Sequence, residues 1–345
     1  SKYVLVWAIA VIYVVGAATY ALTAVPAKDS QVRAQVACEW PTVHHNAARS
    51  GHSPCEARPP FSEVWTKTWE GEMMSTATEA IVADGKVFVG SYAGRMHALD
   101  AATGDEAWVF TADSAIAYSP AVADGTLVFG TVDGMLYGLN TDNGSVQWTF
   151  SARGPGGFLA SPTLYGGKAY IGAQDGYFYA VRLSNGTQVW AYEVGAMTLQ
   201  TAAAADGAIY FGAENMYAYA LDADTGAVIW RSDKLYGMSM RDYFPVVAGD
   251  AVIFRTLPPT DFKEDDLEMD GRFLESFSGT PQQEQAAIVD RLNANPHLKS
   301  FYVLDAGTGT EQFVAPVLYG PAGNGGLPPV PVVMGDGRVV TYYRA

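Results

Sequence analysis

Two cysteines and three histidines are the residues of this 345-residue chain whose types and spacing most directly suggest chemistry. Cys38 and Cys55 bracket the segment CEWPTVHHNAARSGHSPC and are the only cysteines. They are either two unrelated buried thiols or a disulfide that closes a short loop. The segment has no periodic apolar pattern that would order it otherwise, and in an oxidising compartment such a bridge adds roughly 3 kcal/mol of stability. We therefore predict the disulfide, and with it a location outside the cytoplasm.

His44, His45 and His52 lie inside the same segment and raise the question of a metal site. Their spacing fits neither two ligands one helical turn apart nor two ligands on one face of a strand. No CxxC motif and no paired Cys/His spacing typical of zinc or covalent haem is present. We predict neither a metal ion nor a cofactor.

The charge balance excludes one class of partner. Twenty-one Lys and Arg face 36 Asp and Glu, which gives a net charge of −15, and no basic cluster occurs. A phosphate backbone needs such a cluster, so nucleic-acid binding is not expected. With 49% hydrophobic and 12% aromatic residues, the chain is too apolar to be disordered.

The first 28 residues differ from the rest. Tyr3 to Ala27 carry no charge, and a helix of that length, at about 1.5 Å per residue, exceeds the roughly 30 Å hydrocarbon core. A cleavable signal peptide ending near Ala27 is the alternative, but its apolar region is usually only about 7–15 residues long. We predict a signal-anchor at 1–28 with a cytoplasmic N-terminus, in contact with the lipid of the inner (cytoplasmic) membrane. A linker with the disulfide loop follows at 29–61, and the remainder lies in the periplasm or outside.

Internal repetition dominates from residue 62 onward. Tryptophans at 108, 148, 190 and 230 stand 40, 42 and 40 residues apart, each ending a phrase such as RMHALDAATGDEAW, and Phe313 ends a fifth copy. Upstream of each phrase, short β-branched and aromatic runs flank Asp-Gly or Gly-Gly turns, which is typical of β-hairpins. Four strands in about forty residues predict one blade of an all-β propeller. About five and a half repeats are visible, and we expect a ring of six to eight blades over residues 62–345.

The repeated A-L-D-x-x-T-G-x-x-x-W pattern resembles the PQQ-like β-propeller repeat superfamily. That group includes quinoprotein alcohol dehydrogenases and the propeller lipoprotein of the outer-membrane β-barrel assembly machine. The phrase WPTVHHNAARSGHSP is similar to the leader of many exported members. The resemblance implies that the repeat aromatics dock neighbouring blades together; these are Trp65, Trp108, Trp148, Trp190, Trp230 and Phe313.

The same resemblance allows the enzymatic alternative to be weighed. The dehydrogenases of the family hold a quinone beside adjacent cysteines, stack it on a tryptophan and bind calcium through Glu, Asn and Asp. Here no two cysteines are adjacent, and from Trp65 onward only Trp69 lies outside the docking positions. No calcium trio can be matched. We predict a non-enzymatic protein, with a PQQ-dependent quinoprotein dehydrogenase and a tethered small-molecule or carbohydrate sensor as alternatives.

Two features distinguish this chain from a plain propeller. An insertion at 257–299 interrupts the fifth repeat; it is acidic, and Thr280-Pro281 predicts the start of a helix within it. The loops that lead from each outer strand into the next blade are rich in methionine and aromatic residues. Thioether side chains favour adaptable contacts with a protein surface, so we predict partner-facing residues at Met73, Met74, Met197, Met238, Met240 and Arg241. Together these features predict a non-catalytic scaffold or protein-binding subunit of a membrane complex, in envelope assembly or electron transfer. Its partners would be other subunits, reached through the loops, the insertion and the anchor helix.

Overall fold

The computed structural model describes residues 38–53, 55, 62–241, 243–257, 277–317, 332–333 and 339–340. These residues form five four-stranded antiparallel sheets and one two-stranded sheet. The all-β part of the prediction and its four-stranded repeat are therefore confirmed. The predicted anchor at 1–28 lies outside the described residues, and no helix within the described part of the chain is long and apolar enough to cross a bilayer.

Each sheet is one blade, with its strands in chain order from the channel outward. Blade 1 contains β1 (Ile81–Ala83), β2 (Lys86–Gly90), β3 (Arg95–Asp100) and β4 (Glu106–Thr111). Blade 2 contains β5 (Ala121–Ala123), β6 (Thr126–Gly130), β7 (Met135–Asn140) and β8 (Val146–Ser151). Blade 3 contains β9 (Thr163–Tyr165), β10 (Lys168–Gly172), β11 (Tyr177–Arg182) and β12 (Gln188–Glu193).

Blades 4 and 5 repeat this pattern. Blade 4 contains β13 (Ala203–Ala205), β14 (Ala208–Gly212), β15 (Ala218–Asp222) and β16 (Val228–Arg231). Blade 5 contains β17 (Val246–Ala248), β18 (Ala251–Arg255), β19 (Phe301–Asp305) and β20 (Glu311–Phe313). The two-stranded sheet contains β21 (Val332–Val333) and β22 (Val339–Val340), and β21 lies beside β17 as the start of a sixth blade.

The insertion separates β18 from β19, as the sequence predicts. Its described part holds α1 (Pro281–Ala294) and a 3-10 turn at Pro296–Leu298. Thr280 caps the helix by accepting a hydrogen bond from the Gln283 amide, and the Gln283 side chain caps Thr280 in return. Ile288, Leu292 and Leu298 form a small separate core with Val314, which follows the outer strand of blade 5. The described part of the insertion is thus attached to the outer rim of blade 5.

The main apolar cores lie between neighbouring blades. Each repeat tryptophan donates its indole N–H to a carbonyl of the next blade and covers the glycine of the turn between that blade's third and fourth strands. The pairs are Trp65 with Ala101, Trp108 with Thr141, Trp148 with Leu183, Trp190 with Ala223 and Trp230 with Ala306. The tryptophan period is therefore an inter-blade contact rather than a contact within one sheet.

Phe313 differs from the tryptophans. It stands opposite Val303 in the strand register, the position that tryptophan occupies in the four earlier blades, but its side chain is 56% exposed. No described residue covers it as a following blade would. At the other end, Trp65 docks on blade 1 as the outer residue of a preceding blade would, although residues 62–69 form no strand ladder among the described residues.

The ring has two faces with different loops. On one face, called the turn face here, the two hairpin turns of each blade meet; Ala101 N–H donates to Gly85, for example. On the opposite face, called the loop face, the long connections between blades meet the turns that join each second strand to the third. Ala112 N–H donates to Gly94 there, and Ala152 N–H donates to Gly134.

Candidate functional site: a filled channel and an exposed loop face

The central channel is filled by residues 40–50, the middle of the segment between the two cysteines. Carbonyl groups of this segment accept hydrogen bonds from the innermost strands of five blades. The donors are the amides of Val82, Val122, Ala204, Val247 and Val333, at 3.0, 2.8, 2.8, 3.0 and 2.9 Å. An innermost strand has no neighbour on its channel side, so its free N–H groups need acceptors. We call residues 40–50 the plug.

Arg49 is the centre of the plug and its side chain is fully buried. Nε donates to the Ala202 carbonyl at 2.9 Å, and Nη2 donates to Thr163 Oγ1 at 2.7 Å. Nη1 donates to Thr42 Oγ1 and to the Val43 carbonyl, both at 2.7 Å. All four acceptors are neutral, so burial lowers the pKa of Arg49 to about 9, although the Glu79 carboxylate opposes the shift. Arg49 therefore links the plug to blades 3 and 4.

The plug turns back on itself near the loop face. His44 N–H donates to Glu79, which precedes β1, and the His44 ring lies 4.8 Å from the ring of Phe244, which precedes β17. His44 Nδ1–H donates to the Arg49 carbonyl at 2.9 Å, and burial lowers the pKa of His44. His44, His45 and Arg49 all have positive φ angles, of 56°, 76° and 60°. Such a conformation is costly for residues with side chains and persists only where the surroundings impose it.

A disulfide joins the segments that flank the plug. Glu39 accepts a hydrogen bond from Asp84 N–H in a hairpin of the turn face, and Cys38 forms a disulfide with Cys55. The predicted disulfide is confirmed. The three histidines of the segment are not assembled with other ligands: no group of three His, Cys, Asp or Glu side chains suited to a metal ion occurs within the described residues.

The resemblance to quinoprotein dehydrogenases raises the question of whether the channel can hold a quinone. The family places this planar ring in the funnel, stacked on a tryptophan. Here the described part of the channel is packed with the plug, and five tryptophans are held between blades by their indole N–H groups. Of the other two tryptophans in the described part of the chain, Trp40 pairs with Val82 and Trp69 lies against His97. The described residues of the channel do not fit the quinone.

The loop face exposes three of the methionines that the sequence singles out. Met73, Met197 and Met238 are 70%, 43% and 48% exposed. Two tyrosines, Tyr92 and Tyr236, are also exposed there, and Tyr92 N–H donates to the Met73 carbonyl. These exposed apolar side chains make the loop face a candidate interaction surface.

The other three predicted loop residues have different environments. Met74 is half-buried and packs on Val87 and Val89 of blade 1. Met240 is fully buried, because its thioether fills the space beside Gly212, where a Cβ would lie 2.5 Å from the sulfur. Met240 is therefore part of the core and presents no side chain to a partner, in contrast to the prediction. Arg241 is exposed.

A shallow open pocket of about 320 Å³ lies on the loop face beside Met197. Asp175 anchors one wall, since its carboxylate accepts the amides of Arg153 and Tyr177 and the hydroxyl of Tyr179. Burial, and secondarily the hydrogen bond to Asp175, raises the pKa of Tyr179. Glu193, the exposed cross-strand neighbour of Tyr177, also lines the pocket. A pocket that combines a thioether, tyrosine and carboxylates can receive an amide or basic side chain.

A second cluster, of charged and histidine side chains, lies on blade 1 and is not predicted by the sequence. Glu72, from the connection before β1, accepts from Arg95 and lies 3.1 Å from His97 Nε2. His97 Nδ1 lies 3.2 Å from Glu106, and the imidazole is 3% exposed. Burial raises the pKa of Glu72, but hydrogen bonds from His97, Arg95 and Ser91 outweigh it, so the net shift is downward. Nothing in the local sequence pairs residues 25 positions apart, and only the packing of residues 62–74 against blade 1 does so.

Known proteins share the repeats of this chain. Residues 62–206 match the family described as outer membrane protein assembly factor BamB. No curated protein matches the chain. Among solved structures, BamB from Moraxella catarrhalis is 19% identical, with a TM-score of 0.49 over 69% of this chain and 60% of that chain.

Two enzymes share the fold. Quinohemoprotein alcohol dehydrogenase from Comamonas testosteroni is 15% identical, with a TM-score of 0.50 over 63% of this chain and 46% of its own. Quinohemoprotein alcohol dehydrogenase ADHIIG from Pseudomonas putida HK5 is 16% identical, with a TM-score of 0.51 over 66% and 44%. The chain thus spans less than two thirds of each of these proteins, and at such identities the likeness concerns the fold. The resemblance of this chain to the PQQ-like β-propeller repeat superfamily is confirmed, by the repeats of residues 62–206 and by the fold.

Proposed function

We propose that the protein is a non-catalytic, membrane-anchored propeller that acts as a protein-binding subunit of a membrane complex. The observation that carries the proposal is the contrast between its two candidate sites: the channel is filled by the plug, whereas the loop face exposes Met73, Met197 and Met238. A small-molecule sensor needs an open funnel, but a scaffold needs an adaptable outer surface.

The assignment to a membrane complex draws on two further considerations. The matched family is described as an outer membrane protein assembly factor, which is a role in assembling other proteins. The uncharged segment at 3–27 is long enough to remain as an anchor. On this proposal the N-terminus is cytoplasmic, the single span lies in the inner membrane, and the propeller binds other subunits outside the cytoplasm.

The test compares two triple variants that introduce the same charge. M73E/M197E/M238E changes the loop face, whereas V146E/V228E/I229E changes valines and an isoleucine that are 46–48% exposed on outer strands. Each is purified in mild detergent beside the wild type, and partners are identified by mass spectrometry. We expect both variants to melt close to the wild type, and only the loop-face variant to lose its partners, because a buried carboxylate at an interface is strongly unfavourable.

Three results would contradict the proposal. The loop-face variant retaining every partner would show that this face is not the binding surface. A wild type that purifies alone would argue against a scaffold. A quinone absorbance in the purified protein, or quinone-dependent alcohol oxidation, would instead establish the dehydrogenase.

A further inference from the structure

The plug binds the channel wall as a peptide ligand binds an exposed sheet edge. Main-chain carbonyls supply the bonds: Trp40 and Pro41 accept from blades 1 and 2, and Ala47 and Ala48 accept from blades 4 and 5. Trp40 N–H also donates to Val82 at 2.7 Å, which makes an antiparallel bridge with β1. Such edge pairing gives affinity to any extended segment, while side-chain pockets determine which segment is accepted.

Arg49 supplies that selectivity. Its guanidinium meets two carbonyls and two threonine hydroxyls, of which Ala202 and Thr163 belong to the propeller wall. A planar group with donors on three nitrogens can satisfy acceptors in several directions at once, and an ammonium cannot do so with the same geometry. The wall is therefore shaped for an arginine carried by a short segment that bonds through its carbonyls and turns within the channel.

The retention of the plug depends on more than these bonds. Two features make it unfavourable for the plug to occupy the channel. Three of its residues have positive φ, and its buried guanidinium has no carboxylate in contact. The Cys38–Cys55 disulfide joins the two ends where they leave the channel, 17 positions apart in sequence. By closing the loop it limits the freedom that the segment would gain on leaving.

We propose that the central channel is a peptide-binding site, that residues 40–50 are its intramolecular ligand, and that the Cys38–Cys55 disulfide retains this ligand. Exchange with a dithiol breaks the S–S bond, leaves two thiols on the protein and oxidises the dithiol to its own disulfide. The plug then leaves the channel reversibly, and the channel accepts an arginine-bearing segment of the same kind from another chain. This proposal does not depend on the loop face.

Hydrogen exchange on the full chain tests the release. The reporters are the amides of Val82, Val122, Ala204 and Val247, which donate only to plug carbonyls in the structure. The protein is compared before and after reduction with dithiothreitol and alkylation of both thiols. We expect these four amides to exchange roughly tenfold faster or more after reduction, while the β2–β3 and β6–β7 ladders keep their protection.

A synthetic peptide tests the site itself. The probe is residues 38–55 with serine at both cysteine positions, and the matched control is the same peptide with R49A. Added to the reduced and alkylated protein, the first peptide should restore protection of the four amides and the second should not.

Each other outcome overturns the proposal. Unchanged exchange after complete alkylation would show that the disulfide does not retain the plug. Loss of protection throughout the blades would show that the plug is inseparable from the propeller core. Failure of the first peptide, or equal action by the R49A peptide, would show that the channel does not recognise such a segment.

Discussion

Trp148 of blade 2 lies over Gly186 of blade 3 and donates its indole N–H to the Leu183 carbonyl at 2.6 Å. A Cβ on Gly186 would lie 2.8 Å from the tryptophan side chain, and the backbone there has a φ of +71°. The T-G or N-G of one repeat is therefore the receptor for the tryptophan of the repeat before it. The forty-residue period encodes blade-to-blade contacts, which explains why both residues recur together.

Replacing Trp148 with alanine tests this contact. The side chain is 6% exposed, so the change creates a cavity and leaves the Leu183 carbonyl without its donor. We expect a loss of roughly 3–5 kcal/mol in the free energy of unfolding, measured by urea denaturation. Phe313→Ala is the matched control, because this aromatic occupies the same strand position but is exposed; it should cost less than about 1 kcal/mol. Similar losses for both variants would contradict the docking account.

Two glycine variants separate backbone strain from the steric contact. Gly186 and Gly207 have nearly the same positive φ, 71° and 79°. A Cβ at Gly186 would have neighbours within 4 Å, whereas a Cβ at Gly207 would have none. Alanine at Gly207 should cost about 1 kcal/mol, from the left-handed backbone alone. Alanine at Gly186 should cost roughly 1–3 kcal/mol more, because it displaces Trp148. Equal melting temperatures for the two variants would show that the tryptophan moves aside freely.

The blades were predictable and the plug was not, for a physical reason. A strand, a hairpin turn and a docking aromatic each impose a residue type at a fixed spacing, and five repetitions make the pattern unambiguous. The plug instead bonds through main-chain carbonyls, which any residue carries, and its turns place histidines at positive φ. Only its disulfide could be anticipated, because Cys38 and Cys55 are the only two cysteines and bracket the segment.

The loop face shows the same limit on a smaller scale. The repeat locates the connecting loops and their methionines, but it does not say which side chain turns inward. Met240 fills the space beside Gly212, whereas Met238, two residues earlier, is exposed. That difference depends on the shape of the adjacent blade. Likewise, Glu72 and His97 meet only because residues 62–74 pack against blade 1.

Arg49→Lys tests the centre of the plug. Lysine keeps the charge but has three donors on one nitrogen, so it cannot reach both Ala202 and Thr163 while also binding Thr42 and Val43. We expect a loss of roughly 1–3 kcal/mol in unfolding free energy, since buried acceptors are left unpaired. Arg182→Lys, at an exposed position, should be nearly neutral by the same measurement. If Arg49→Lys left the free energy of unfolding unchanged, the planar geometry of the guanidinium would not be what the site requires.

The Glu72 cluster predicts a specific pH dependence. Because the pKa of Glu72 in the folded protein lies below its ordinary value of 4.5, its stabilising contribution is present above that pH and is lost as the pH falls through the folded value. Glu72→Gln should therefore be less stable than the wild type at neutral pH, and the difference should shrink as the solution is acidified below 4.5. Urea denaturation at a series of pH values measures this. A difference that stays constant across the series would rule out the ionised carboxylate as its source.

The insertion can be removed without cutting into the blade, and the structure fixes where. Leu257 N–H donates to the Ser239 carbonyl, and Thr256 N–H donates to the Ser300 carbonyl, so both residues belong to the ring. The replaced segment should accordingly be 258–298 rather than 257–299. An Asn-Gly turn between Leu257 and Lys299 can close the gap, because β18 and β19 are antiparallel neighbours.

We expect this deletion variant to remain folded but to bind its partners less well. Its described helix and 3-10 turn pack Ile288, Leu292 and Leu298 against Val314 at the rim as a small separate cluster, so we expect the deletion to lower the melting temperature by only a few degrees. An I288A/L292A variant keeps the acidic insertion but loosens its helix. It therefore distinguishes the contribution of the acidic charge to partner binding from that of the packed helix. Thermal melting and co-purification are measured for both. If the deletion variant holds every partner as the wild type does, the insertion is not a docking element. If the deletion weakens binding but I288A/L292A does not, the acidic segment acts through its charge. If both variants bind more weakly, the packed helix is the contact.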